Sequence, residues 1–389
     1  MYKEKELLII ASDIGRTAPG IVYKTILNQL AKEYHVNLIT PTICEEKLSA
    51  KIRIIPSYRI IVLRNAIENM MIQIFGTNPV QKFWAWIQMK SIPSELIAKT
   101  DLIVSFISFH HYGSVMLGSK LASKYGKKHI VYSVDAIPAP MGWITNSIYY
   151  VRTQKLINRY LSQADAFFSS NEQMLSYQIS LASDFEGDRG VLYTPIRENA
   201  LFSINRKVTS RPVFLYTGGL YGPRKYDTVI EGFKLFIRKH PNAILRFVGS
   251  GPMSKFKKYS CLIETGNIEI CSYSSDLLEH YNQATVLIDI NAYFDNDVFL
   301  SSKIINYLPI KKPIISITGD NSPSRNVFRK DSSIIHSHHN PTEICDAMEL
   351  SISIDKIGHD RNCYIDQFSV ENCLTSFRCC INTMINLSI

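Results

Sequence analysis

The chain has 389 residues, 46% of them hydrophobic and 20% charged, with a net charge of +9. That length exceeds one compact domain and suits two of ordinary size, and the composition is that of a soluble globular protein. No apolar run approaches the roughly 20 residues that cross a bilayer, which excludes a membrane-spanning helix.

The opening MYKEKELLIIASD has an apolar core too short for a signal peptide and no small-residue cleavage pattern after it, so the chain is expected to stay in the cytoplasm. Glu6–Ser12 (ELLIIAS) reads as a first strand. The loop DIGRTAPG follows, then a helical pattern through Tyr23, Ile26, Leu27, Leu30 and Ala31, then a strand over His35–Thr40. Strand, glycine loop, helix and strand make the first βαβ unit of a doubly wound α/β fold. Gly15 and Gly20 are not spaced as GxGxxG, and no acidic residue stands where a ribose ligand should follow, which argues against a dinucleotide site. Two readings remain for this loop: a plain βα turn, or a place where the backbone of Gly15 and Gly20 comes close to a ligand.

Residues 53–93 break the rhythm, mixing long apolar residues with Phe83, Trp84, Trp86, Arg64, Lys82 and Lys90. They read either as helices packed on the first domain or as an interfacial segment lying on a membrane that carries a lipid-linked acceptor. Alternation then resumes with a strand at Asp101–Ser105, a loop holding His110, His111 and Gly113, a helix over Val115–Tyr125 and a strand over His129–Val134 that ends at Asp135. In open α/β sheets the carboxyl ends of strands face the ligand crevice. Asp135 and the His110/His111 pair occupy such ends, and the proline-rich loop after Asp135 can shape a pocket. A helix over Val151–Ser162, a strand at Ala166–Ser169 and a helix over Asn171–Leu181 follow. Residues 183–211 lose periodicity and read as a linker.

The second half opens with VFLY and TGGLYGPRKYDTVIEGF: a strand, a glycine loop with Gly218, Gly219, Arg224 and Lys225, and a helix. Ile244–Val248 precedes GSGP, which starts at Gly249. Thr285–Ile290 leads through a polar loop with Asp295 and Asp297 into FLSSKIINYLPIKKPIISI (Phe299–Ile317), read as a helix start, a short helix, a basic turn and a buried strand. Ser301 and Ser302 suit a helix N-cap, and with Lys303 in the first turn they offer hydroxyls, backbone N–H groups and an ammonium suited to a diphosphate. If these strands share one sheet, all three glycine- or serine-bearing turns lie along one edge, where a phosphate-containing ligand fits. The histidine tract His336–His339 lacks partners at ligand spacing and is expected to be a solvent-exposed loop. Lys255–Lys258 reads as a solvated helix face. The eight cysteines show no CxxC or Cys/His ligand spacing, so reduced structural thiols are expected.

The blocks TGGLYGPRKYDTVIEGF, LRFVGSGP, LLEHYNQATVLIDI and SSKIINYLPIKKPIIS resemble, in order, those of the retaining GT-B glycosyltransferases. The last is similar to the S-K-x-x-E-Y-L-x-x-x-K-P-I pattern of their bacterial capsule and lipopolysaccharide members. The resemblance covers residues 213–350 and implies two Rossmann-like domains facing a central cleft. An acceptor-side domain is expected over 1–200, a nucleotide-sugar-binding domain over 201–360, and a C-terminal helix within 361–389 that crosses back to the first.

By motif match, the resemblance implies that Arg224 and Lys303 hold the donor diphosphate and stabilise the leaving group, with no metal and no other cofactor. Gly15, Gly218, Gly219, Gly249, Ser301, Ser302 and Asn306 would line the donor site. Asp135 would bind a sugar hydroxyl or stabilise an oxocarbenium-like state, with His110 and His111 toward the acceptor. The family carries a glutamate where this chain has Asn306, and a second acid where it has Val298. Asn306 still accepts and donates hydrogen bonds, so a ribose contact is retained in kind. The function implied is metal-independent, retaining transfer, of hexosyltransferase type, from a nucleotide-sugar to a glycan or lipid-linked acceptor in cell-surface polysaccharide synthesis. It would take place in the cytoplasm or on the inner face of the plasma membrane. The rivals are a catalytically inactive relative that binds a partner or glycan, and a nucleotide-sugar epimerase. Nucleic acid is not an expected partner, because the basic residues are dispersed and no recognised module appears.

Overall fold

The structure, a computed structural model, describes residues 5–43, 48–57, 65–109, 111–197, 211–274, 276–354 and 357–387. The chain divides into two compact units, Met1–Pro195 with Ser369–Ile389, and Ile196–Phe368.

The first unit runs β1 (Glu6–Ala11), α1 (Ala18–Leu30), β2 (His35–Ile39), β3 (Ile52–Ile55), α2 (Asn65–Phe75), α3 (Pro79–Ser91), α4 (Ser94–Lys99), β4 (Leu102–Ile107), α5 (Gly113–Tyr125), β5 (His129–Ser133), α6 (Ser147–Leu161), β6 (Ala166–Ser169), α7 (Glu172–Leu181) and β7 (Asp188–Val191). Its strands pair in parallel in the order β3-β2-β1-β4-β5-β6-β7. The central runs LIVSFI and HIVYS are apolar almost throughout and wholly buried, as strands covered on both faces must be. Asparagine side chains cap α3, α6 and α7 by accepting from the first turn.

The second unit runs β8 (Val213–Thr217), α8 (Tyr226–Phe236), β9 (Ile244–Val248), α9 (Ser260–Glu264), β10 (Ile268–Cys271), α10 (Leu278–Gln283), β11 (Val286–Ile290), α11 (Ser302–Tyr307), β12 (Ile314–Ile317), α12 (Pro323–Phe328), β13 (Ile334–Ser337), α13 (Pro341–Ser353) and α14 (Asp360–Gln367). This sheet is also parallel, in the order β10-β9-β8-β11-β12-β13. α8 and α13 pack so closely that a Cβ on Gly232 would lie 2.8 Å from both Ile344 Cγ2 and the Pro341 carbonyl oxygen.

Both sheets reverse direction of growth once, between β1 and β4 and between β8 and β11. A ligand crevice is expected at the carboxyl ends of the strands at such a switch point. The last two helices, α15 (Val370–Cys373) and α16 (Thr375–Asn386), belong to the first unit. There the Phe377 ring stands edge-on to Phe168 at 4.9 Å, and Ser376 donates to the Val191 carbonyl at 3.1 Å.

Several local expectations are corrected. Residues 183–211 do not read through as a linker, because β7 extends the sheet from β6. Its sequence DRGV lies at a part-exposed edge and lacks the apolar run that marks a buried strand. The C-terminal stretch is not one helix, since Phe368 and Leu374 interrupt it. The histidine tract is no exposed loop either. His336 lies in β13 and is half-buried, and only His338 and His339 follow the strand. Lys255–Lys258, by contrast, lie on a 3-10 helix with Lys257 and Lys258 exposed as expected, and only Phe256 among them is buried.

Candidate functional site

In the second unit β8 ends at Thr217 and is followed by Gly218, whose φ of +99° is one that L side chains rarely adopt. A Cβ there would lie 2.8 Å from Lys303 Cε, so the lysine stem lies across this glycine. Ser250, in the loop after β9, donates to the Gly218 carbonyl at 2.9 Å and ties the Gly-Ser-Gly loop to the Gly-Gly turn. From β11, the fully buried Asp289 accepts from Ser301 Oγ at 2.8 Å and from Asn291 Nδ2 at 2.9 Å. Ser301 in turn accepts from the Lys303 backbone N–H at 3.2 Å. One buried carboxylate thus holds the start of α11 and, through it, Lys303.

Three cations gather on this edge. Burial, with Arg224 and Arg197 nearby, pulls the Lys303 ammonium down to about 7 against the opposing pull of Asp289. The Arg224 guanidinium stacks 4.3 Å above the Tyr221 ring. Burial also lowers Arg197. Its backbone N–H donates to Asn306 Oδ1 at 3.0 Å, while Asn306 Nδ2 donates to the Ser302 carbonyl at 2.6 Å. An amide meets both demands because it accepts and donates at once. A carboxylate could not make the second bond. Among the described residues, Asp289 is the carboxylate that acts on both Lys303 and Arg224, and a bound dianion would bring further negative charge to the place where three cations gather.

In the first unit the carboxyl ends of β1, β4 and β5 adjoin, with Ala11 opposite Phe106 and Ile107 opposite Ser133. Asp13, just past β1, accepts from Thr17 N at 2.7 Å and Thr17 Oγ1 at 2.6 Å. A Cβ on Gly20 would fall 2.1 Å from its Oδ2, so Gly20 makes room for this carboxylate. The other oxygen, Asp13 Oδ1, is buried with no hydrogen-bond partner among the described residues. Asp135 accepts from the Phe109 N–H at 3.2 Å, and burial raises its carboxyl above the usual range. The buried Tyr23 hydroxyl donates to the Ile107 carbonyl at 2.5 Å. Burial, then Asp135 and more weakly Asp13, raise its pKa. Gln81 Nε2 lies 3.3 Å from His111 Nδ1.

No protein-family model and no curated protein sequence matches the chain. Solved structures do. The Anabaena protein HepE, in complex with UDP and glucose, is 8% identical, aligns over 97% of this chain and 100% of its own, and superposes with a TM-score of 0.65. A glycosyltransferase from Rickettsia africae is 14% identical over 98% of this chain and 99% of its own, with a TM-score of 0.64. The lipopolysaccharide outer core galactosyltransferase WaaB is 14% identical over 99% and 100%, with a TM-score of 0.59. The fold is that of the GT-B glycosyltransferases.

On this GT-B scaffold the residues expected to hold the nucleotide-sugar come together within the second unit. Gly218, Gly219 and Gly249 share one edge with Ser301, Ser302, Lys303, Arg224 and Asn306. Ser301 is turned inward to Asp289 and Asn306 to backbone. In the first unit Gly15, His111 and Asp135 follow the carboxyl ends of β1, β4 and β5 in turn, and His110 lies outside the described residues. Sequence reasoning missed Arg197, Asp289 and Asp13. Arg197 stood in a stretch without periodicity. Asp289 read as one more strand residue in LIDI. The close approach of Gly20 to Asp13 gives that glycine its reason. Among the described residues no group of His, Cys, Asp and Glu could hold a metal ion, and no helix is long and apolar enough to cross a membrane.

Proposed function

We propose that the protein is a glycosyltransferase that moves a sugar, with retention of configuration, from a nucleotide-sugar to a glycan or lipid-linked acceptor in cell-surface polysaccharide synthesis. The observation that carries this reading is the gathering of Lys303, Arg224 and Arg197 at the Gly218 turn, at the switch point of the second sheet. The donor's diphosphate would lie against these cations. As the sugar–phosphate bond breaks, negative charge grows on the leaving diphosphate. Fixed, desolvated cations stabilise that charge without reorganising. The reading therefore requires no metal, and the same turnover is expected in the presence of a chelator.

In this reading the second unit binds the donor and the first the acceptor, the work being done at the cytoplasmic face of a membrane. Asp135 would bind a sugar hydroxyl or stabilise an oxocarbenium-like state, and His110 and His111 would face the acceptor. Support comes from the GT-B fold and from a structural relative solved with UDP and glucose. A second reading, a relative that binds nucleotide or glycan without turnover, is favoured by Asn306, whose amide is engaged by backbone groups, and by the absence of a carboxylate at Val298.

The test is a thermal-shift screen with UDP, GDP, CDP and their sugar conjugates, then donor turnover with acceptor glycans. One base should raise the midpoint, since ligand at a hundred times its Kd adds about 2.7 kcal/mol of stability. Lys303→Ala and Arg224→Ala should each weaken that nucleotide roughly 10- to 100-fold, as the loss of a charged hydrogen bond does. No shift with any nucleotide would overturn the proposal. A shift without turnover across acceptors would select the second reading.

A further inference from the structure

The first unit carries an apolar, cationic face that its sheet does not use. α3 turns Gln81, Trp84, Ala85 and Gln88 inward, where a Cβ on Gly113 of α5 would meet Gln81 Oε1 at 2.8 Å and Trp84 Cε3 at 3.0 Å. The opposite side of the same helix leaves Phe83 and Trp86 about half exposed. Their rings stack with centroids 6.0 Å apart, and Lys90 Nζ stands 3.9 Å above the Trp86 ring. Ile74 and Phe75 at the end of α2, and Ile148 and Val151 at the start of α6, are exposed to a similar degree.

These three helices form one continuous surface. Arg152 of α6 donates to the Phe75 carbonyl at 2.8 Å, and Asn146 donates to Gln73 Oε1 at 2.5 Å. A Cβ on Gly76 would touch Arg152 Cδ at 2.8 Å and Ile148 Cγ2 at 3.0 Å. Lys82 of α3 is drawn below the usual lysine range by burial and by the neighbouring Arg152, two cations side by side. The charge is strongly biased. The three helices hold one acidic residue, Glu68 of α2, against Lys82, Lys90, Arg152, Lys155 and Arg159.

We propose that the α2–α3–α6 face docks the first unit on an anionic phospholipid bilayer. The aromatic and aliphatic side chains enter the headgroup region while the cations meet lipid phosphates, with long lysine and arginine stems lying along the apolar surface. A second copy of the chain is disfavoured as occupant, because self-pairing would set this cationic face against itself. The proposal does not rest on sugar transfer, and the two fail separately: vesicle binding needs no nucleotide, and nucleotide binding needs no vesicle.

The test is flotation of the full chain with phosphatidylcholine vesicles that contain or lack phosphatidylglycerol. Binding is expected only with phosphatidylglycerol, together with a blue shift of tryptophan emission that Trp86→Phe abolishes while binding persists. Lys82→Gln with Lys90→Gln should lower partitioning about 25-fold, roughly fivefold for each cation near an anionic surface. Phe83→Ser with Trp86→Ser should remove binding while leaving the circular dichroism and any nucleotide-induced thermal shift unchanged. Absence of binding to phosphatidylglycerol vesicles would overturn the proposal, as would binding that survives both double substitutions. So would a dimer in solution that Phe83→Ser with Trp86→Ser dissociates, which would assign the face to a second copy.

Discussion

Lys303 is a lysine drawn out of water beside two arginines, and its chemistry depends on what neutralises them. In the ligand-free protein its ammonium titrates at about 7, so above that pH a bound diphosphate must bring a proton back to it. The Kd of the cognate nucleoside diphosphate should therefore rise by up to about tenfold per pH unit above 7, with proton uptake measurable by calorimetry in buffers of different ionisation enthalpy. Lys303→Arg should flatten that profile. Stability runs opposite to affinity. The unfolded chain keeps this proton up to the ordinary lysine range, so the empty protein gains stability as pH rises from about 7 and loses it as pH falls. Lys303→Met should accordingly stabilise the ligand-free protein by about 1 kcal/mol while removing the nucleotide response, the exchange expected of a site built for a charge it does not yet hold. Lys303 and Arg224 were visible in the sequence because each sits in a strand–turn–helix block. Arg197 was not, since the Asn306 contact that holds its backbone spans 109 positions.

At the scale of elements, the turn between α11 and β12 shows how far a local reading reaches. Lys311 and Lys312 read as a basic turn, yet Lys312 is buried, its ammonium capped by the carbonyls of Tyr281, Asn282 and Ala284 around the end of α10. Its own carbonyl accepts from Arg361 of α14 at 3.2 Å. Arg361 is fully buried and also pairs with Asp331 at 2.5 Å and donates to Ser333 at 2.8 Å. The guanidinium thus locks α14 to the edge formed by β12 and β13. Arg361→Ala would leave the Asp331 carboxylate buried and uncompensated, at a cost of about 3–5 kcal/mol. Urea unfolding should read this as a fall in midpoint. A shift of less than about 1 kcal/mol would show that Asp331 finds water or another partner.

For the molecule as a whole, histidines drawn partly or wholly out of water, His129 in β5, His336 in β13 and His339 just past it, are what acid must attack. Burial pulls His129, His336 and His339 down to about 4, whereas an unfolded histidine protonates near pH 6.5. Each therefore contributes stability that is present above about 6.5 and lost as pH falls toward 4. His338, held between Asp320 at 2.6 Å and Glu343 at 2.5 Å, is raised and opposes the trend. Because its side chain is partly exposed, solvent screens that contribution. The urea midpoint should thus drop between about pH 6.5 and 4, with net uptake of one to three protons on unfolding. A flat profile across that window would show that these imidazoles do not remain neutral in the fold.

The alternation of strand and helix, the glycine turns after β1, β8 and β9, and the Ser-Lys start of α11 were all determined by the sequence alone. Hydrophobic periodicity and turn chemistry act over a few residues, and a reader of the chain has those residues together. The tertiary structure alone decided which groups meet. Asp13 closes on Gly20 through a steric fit, Asp289 reaches Ser301 across a loop, and Arg197 joins the two cations its distant neighbours supply. β7 became a strand only because β6 offered an edge. The surface split of α3, with Trp84 buried against α5 and Trp86 left outside, follows from which side of the helix meets the sheet's covering layer. That choice depends on contacts far apart in sequence, which no local pattern encodes.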